Sequence, residues 1–166
     1  MIVWRISNYL DLSGQGGLRA AARWHNAGAP VVYTASSPAS ALLEVLVHLE
    51  LNDIEHLPDS YQLLRITVPD SIPIVEINEE SLDPDWRRLL ELTRAMGDVW
   101  LRGSESALLA VPSAIVPHTQ NYLINLLCSP ITTLLITKFC GFVRQFDADI
   151  LPEMRFRKSS SFFPVA

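Results

Sequence analysis

Glu44 is the first residue that demands a chemical explanation. It lies inside Pro38–Leu51, where Leu42, Val45, Leu46 and Leu49 recur at helical spacing and Leu43 and Val47 widen the apolar surface. A carboxylate in such surroundings is costly unless it meets a partner or a ligand. Other polar groups interrupt apolar segments in the same way: Arg5 after Val3 and Trp4, Arg23 before Trp24, Tyr33 alternating with Val31, and Ser113 after Pro112. Each has a plain structural alternative. Arg5 and Glu44 can be ion-pair partners, Tyr33 a core ring with a wet hydroxyl, and Ser113 a turn residue.

Taken together, these groups suit an anionic substrate that carries an aromatic ring. Guanidinium forks bind phosphate in bidentate geometry. Tyr33 or Trp24 can stack on a heterocycle, and a serine can hold an amide or a ribose hydroxyl. A carboxylate in a low-dielectric pocket stabilises positive charge developing on a ribose. The set fits cleavage of a nicotinamide–ribose bond, because nicotinamide leaves neutral and needs no strong general acid. Ordinary glycosidases use two facing carboxylates, and the sequence marks no second one.

Competing chemistries lack their residues. Ser13–Gly17 is glycine-rich but opens no nucleotide-binding βαβ unit, and neither a phosphate-loop motif nor a Gly-x-Ser-x-Gly elbow occurs. His25, His48, His56 and His118 show no metal-ligand spacing and read as satisfied polar or surface residues, so no metal is expected. Cys128 and Cys140 are too few for a disulfide framework and read as thiols of a reducing compartment.

The elements that must position the candidates follow from pattern. Ile2–Ile6, Pro30–Ala35, Leu63–Val68, Ile74–Ile77, Ala107–Val111, Ala114–Val116, Ile131–Phe139 and Phe142–Phe146 read as strands. Leu18–Trp24 reads as a helical turn after a glycine-rich loop. Pro38–Leu51 reads as a mostly buried helix, with Ser36 or Ser37 as cap and Pro38 in its first turn. A second, amphipathic helix is expected from Asp83 or Pro84 to Ala95. Gly97 would end it, and Arg87, Arg88 and Arg94 would lie on its solvated side. Gln120–Asn125 reads as a turn or short helix. This order predicts an α+β domain with a mixed, mostly antiparallel sheet and flanking helices.

The 166 residues suffice for one domain, and a chain of this size buries about 70% of its unfolded surface without a staple. Residues 1–155 are read as that domain and residues 156–166 as a tail. The net charge of −5 argues against a nucleic-acid surface or an anionic membrane. With no evident secretory leader and no long apolar run, a cytoplasmic location is expected. Eleven of the 13 basic residues are arginines, so any anion site in this acidic chain must be local.

The segment Arg23–Glu50 resembles the core signature of RES-domain proteins, the toxins of RES–Xre toxin–antitoxin systems. Trp4–Ser7, Gly97–Pro117, Asn121–Asn125 and Phe146–Pro152 extend the likeness over almost the whole chain. The resemblance implies a fold similar to that of diphtheria-type ADP-ribosyltransferase toxins. It implies degradation of NAD⁺ by hydrolysis or phosphorolysis, starving the cell of NAD⁺, or alternatively ADP-ribosylation of a protein. It assigns catalytic roles to Arg5, Tyr33, Glu44 and Ser113 and substrate binding to Arg23, Trp24 and Asn125. NAD⁺ would be the substrate, with no further cofactor. The implied partner is an Xre-family helix-turn-helix antitoxin that carries the DNA contact and covers the toxin's cleft. A homodimer or a larger complex with the antitoxin is also implied. The likeness breaks after Asn125, where Leu126–Leu127–Cys128–Ser129–Pro130 replaces the family's Asn–Pro–x–His–Pro continuation. That break motivates a third reading, an inactive partner-binding module.

Overall fold

The computed structural model describes residues 1–48, 61–103, 105–128 and the strand 135–139. Phe142–Phe146, the tail 156–166 and the side chain of His48 lie outside the described residues. Among the described residues seven strands form one sheet. They are β1 (Ile2–Ser7), β2 (Val31–Ala35), β3 (Gln62–Thr67), β4 (Ile74–Glu76), β5 (Leu108–Pro112), β6 (Gln120–Asn125) and β7 (Leu135–Phe139). Their spatial order is β4-β5-β6-β2-β1-β3-β7. Among the described strand pairs β4–β5 is parallel and the others are antiparallel. The α-helices among the described residues are α1 (Gln15–Arg19), α2 (Pro38–His48) and α3 (Leu90–Gly103). The expected mixed, mostly antiparallel α+β architecture is the one observed.

Period-2 alternation separates two apolar layers. Val3, Val32, Ile66, Leu108 and Ile124 pack on one face. Trp24, Val31, Trp86, Trp100, Leu109, Val111 and Leu123 pack on the other, where Ala35, Ile6, Leu63 and Ala41 of α2 form an adjoining group. Most paired strands share five or six register pairs. β1 and β2 share one, Trp4↔Ala35, so the sheet is loosely joined between them.

Several local expectations are corrected. Gln120–Asn125 is a strand, because β2 and β5 flank it and take its backbone hydrogen bonds on both sides. Ala114–Val116 is a turn, because the Ser113 hydroxyl accepts the Ile115 and Val116 N–H groups. Asp83 organises a turn, accepting the Asp85 N–H, and the helix begins only at Leu90. Gly97 lies inside α3 and does not end it, since the helix runs to Gly103. The helical turn expected at Leu18–Trp24 is instead α1, four residues earlier at its centre.

The α2 helix starts as expected. Ser37 Oγ accepts the Ser40 N–H at 3.1 Å, which makes Ser37 the cap and Pro38 the first helical residue. Its burial is less complete than the apolar pattern suggested: Leu43, Leu46 and Val47 are exposed. Among its described side chains Ser40 and Ala41 are the buried ones, and Glu44 is half-buried on the flank of the face that meets the sheet. Among the described residues no helix is long and apolar enough to cross a membrane.

Candidate active site

The centre of the site is the Glu44 carboxylate, which α2 carries to the edge where β5 and β6 meet. Ser113 Oγ donates to Glu44 Oε1 at 3.0 Å, and Asn121 Nδ2 donates to the same oxygen at 2.6 Å. Strand register explains the convergence. Asn121 pairs with Val111 of β5 and with Ala35 of β2, so it shares the α2 face with Tyr33. Ser113, two residues beyond Val111, alternates onto the same face.

Ser113 is buried and has no spare valence. Its oxygen accepts two backbone N–H groups at 3.2 and 3.0 Å and gives its proton to Glu44. The sequence pointed to Ser113 as a group that touches substrate; the geometry makes it a group that orients Glu44. Asn121 escaped sequence analysis.

Tyr33 lies in the middle of β2. Its hydroxyl accepts the Trp24 N–H at 3.2 Å and is hydrogen-bonded to Nδ1 of His25 at 2.9 Å. Burial pushes the phenol well above its ordinary value, so it stays protonated. With its oxygen committed, Tyr33 has its partly exposed ring left to meet a ligand. His25, read from the sequence as a satisfied polar or surface residue, is 1% exposed and lies in the core, with Nδ1 on the Tyr33 hydroxyl and Nε2 buried without a hydrogen-bond partner among the described residues.

Burial also pulls the His25 imidazole below its ordinary 6.5, with the Gly17 carbonyl and the Asp98 carboxylate opposing. The folded protein therefore binds this proton less readily than the unfolded chain. His25 contributes full stability above pH 6.5, and that contribution falls as pH drops from there toward the folded value. The slope is at most about 1.4 kcal/mol per pH unit. Thermal unfolding between pH 8 and 5 should show the decline, and His25→Asn should flatten it. An equal slope in both proteins would refute the assignment.

Arg23 joins the cluster electrostatically. Burial lowers its guanidinium from the ordinary value, the Glu44 carboxylate opposes this, and nearby Arg87 and Arg94 reinforce it. Its Nη1 donates to the Arg87 carbonyl at 2.7 Å, and Arg94 Nε donates to the Ala22 carbonyl at 2.9 Å. Arg23 and Arg87 both lie over the Trp86 ring, at 5.8 and 4.5 Å from its centroid. Arg87 and Arg94 are thus not free solvated charges. The Arg87 guanidinium is ion-paired with Glu79 at 2.6 Å, and its carbonyl and the Arg94 side chain hold the loop carrying Arg23.

Three expected site residues sit elsewhere. The Trp24 ring is buried against Trp86, with centroids 5.6 Å apart, and is not available to stack on a substrate. Asn125 is completely buried; its Nδ2 donates to the Leu101 carbonyl of α3 and its Oδ1 accepts the Leu127 N–H. Both are corrected from substrate contacts to structural parts, because a binding role requires surface they do not have. Arg5 alternates onto the face opposite Tyr33 and Asn121, next to the single β1–β2 register pair. Burial lowers its guanidinium, and exposed Asp11 opposes this. Among the described residues no hydrogen bond ties Arg5 to Glu44, Ser113 or Tyr33.

An open cleft of about 930 Å³ borders Ser113 and Asn121 in sequence through Pro112 and Gln120. Glu76, Glu79 and Glu80 line it, so its charge opposes a phosphate-bearing ligand. The cations that favour one cluster around Arg23. Among the described residues no three acidic, histidine or cysteine side chains are grouped to hold a metal.

The RES domain family matches residues 2–134. A Pseudomonas putida protein named Toxin Res is 54% identical over 125 residues, covering 75% of this chain and 84% of that one. The chain belongs to the family of RES-domain toxins. A Sphingobium relative named as a Prs ADP-ribosylating toxin is 38% identical over 119 residues, covering 69% of this chain and 72% of its own length. One chain of the Mycobacterium tuberculosis MbcT–MbcA toxin–antitoxin complex superposes with a TM-score of 0.70 at 18% identity, covering 83% of this chain and 82% of that chain. That likeness establishes a shared fold. In this RES-domain toxin the arginine, glutamate and serine of the family name fall on Arg5, Glu44 and Ser113 by the sequence resemblance. The fold joins the last two directly.

Proposed function

We propose that this chain is the toxin of a toxin–antitoxin pair and that it consumes NAD⁺ by cleaving the nicotinamide–ribose bond. The observation that carries the reading is the Glu44 carboxylate: one oxygen is pinned by Ser113 and Asn121, and a guanidinium acts on it from Arg23. Glu44 Oε2, which accepts no hydrogen bond from the described residues, meets the ribose hydroxyls. It stabilises the positive charge that grows on the ribose as the bond breaks. The bonding pair leaves with the pyridine nitrogen, which becomes neutral. Water attacks the anomeric carbon and releases a proton, or phosphate attacks in its place.

Arg23 holds the diphosphate, with Arg94 as a nearby second cation. Arg5 lies on the other face of the sheet and takes no part in this contact. Tyr33 offers its ring to the nicotinamide end. No cofactor is required beyond NAD⁺ as substrate, and the reaction belongs to the cytoplasm. An antitoxin partner fits this reading, because a structural relative comes from a toxin–antitoxin complex. A helix-turn-helix antitoxin of Xre type would supply the DNA contact that an acidic toxin lacks.

A second reading keeps the site and changes the acceptor to a protein side chain; the name of the Sphingobium relative favours it. Purified protein incubated with NAD⁺ tests both. Free nicotinamide with soluble ADP-ribose supports hydrolysis, and ADP-ribose-1″-phosphate formed only with phosphate supports phosphorolysis. Label from NAD⁺ fixed on a lysate protein supports transfer. No nicotinamide release under any of these conditions would end the proposal.

A further inference from the structure

We infer that Asn121 is a positioning residue for Glu44, fixing which carboxylate oxygen faces the substrate. The inference rests on the NAD⁺-cleaving reading above. Its basis is that Ser113 and Asn121 donate to the same oxygen, Oε1, at 3.0 and 2.6 Å. Two donors on one oxygen fix the rotation of the carboxyl group and leave Oε2 directed elsewhere.

The two donors are not equivalent. Ser113 is held by its own turn, through the Ile115 and Val116 N–H groups. Asn121 is held by the sheet, on a strand paired on both sides at Val111 and Ala35. A group mounted on a doubly paired strand moves less than one on a loop. Asn121 therefore ties α2, the element that carries Glu44, to the middle of the sheet. Asparagine also suits the place chemically. It donates a strong hydrogen bond to a carboxylate but brings no charge, so the attraction between Glu44 and Arg23 is left undiluted.

Two substitutions separate positioning from simple packing. Asn121→Ala removes the donor. Nicotinamide release should fall roughly 10- to 100-fold in kcat, because a misplaced catalytic group costs on that order, while KM stays within about twofold. Asn121→Asp keeps the shape and places a second carboxylate against Glu44. Like charges in contact cannot both ionise, so one proton is shared. The acidic limb of the pH–rate profile should then move toward neutral by about one unit or more. Among the described residues Arg23 is a charged group that interacts with Glu44 from a neighbouring element.

Thermal unfolding of each variant reports on folding separately. A wild type that releases no nicotinamide would remove the reading and the inference together. An active wild type with unchanged kcat in Asn121→Ala would overturn the inference alone, as would a superimposable pH profile in folded Asn121→Asp.

Discussion

Glu44→Gln should lower nicotinamide release by about 10²- to 10³-fold, the range typical of losing one preorganised electrostatic contact to a developing charge. Glutamine keeps the length and the oxygen that accepts from Ser113 and Asn121. Its amide nitrogen takes the place of Oε2, so the charge that opposes the developing cation is gone while the local shape remains. The loss should appear in kcat with KM nearly constant, because the cation exists only as the bond breaks. Stability should change little: Glu44 is half-buried, and its hydrogen bonds come from neutral donors. Arg23 loses an opposing charge in this variant, which allows NAD⁺ to bind slightly more tightly. Activity equal to wild type would remove Glu44 from the chemistry.

Gly97→Ala should destabilise the protein by about 3 kcal/mol or more, against the usual expectation for a helix interior. In an exposed helix this change stabilises by about 1 kcal/mol. Here a Cβ would collide with the carbonyl oxygen of Trp24 and sit 2.8 Å from its carbonyl carbon. A Cβ is fixed by the helix backbone and the atoms it meets are backbone, so no side chain can swing away. The helix α3 would have to lift from the loop bearing Arg23, Trp24 and His25. At that loop Thr93 Oγ1 donates to the Arg23 carbonyl at 2.7 Å and Asn26 is bound to Asp98. A loss of this size lowers the unfolding midpoint by roughly 6–12 °C in a chain of this length. Because the same loop holds Tyr33 through Trp24 and His25, activity should fall in parallel. A variant as stable as wild type would contradict the packing described here.

Gly97 also illustrates what pattern reading misses. A glycine beyond an amphipathic run is the ordinary sign of a helix end, and that sign was wrong here because the requirement was steric and came from a loop about 70 positions earlier. Gln120–Asn125 was misread for a related reason. Its type is decided by two strands that flank it in space, and a run of this length carries no periodicity strong enough to separate strand from turn. Ser113 was found as a residue and mistaken in role, since only three-dimensional neighbours reveal that its hydroxyl is already saturated. Nothing in the type or spacing of Asn121 marks it, because its significance lies entirely in the atoms it touches.

Composition and pattern were enough for much else. The α+β class, the strands near Ile2–Ile6, Pro30–Ala35 and Leu63–Val68, and the capped start of α2 followed from alternation, β-branched content and capping chemistry, all of which act within a few residues. Glu44 stood out because an isolated carboxylate among leucines and valines is costly wherever it occurs. Long-range contact decided the rest. Antiparallel register put Asn121 and Ser113 beneath α2, backbone crowding at Gly97 set the place of α3, and burial turned Trp24 and Asn125 from candidate ligands into structural parts. The division follows the range of the forces: local propensities act along the chain, while a site assembled from α2, β5 and β6 exists only once the sheet has paired.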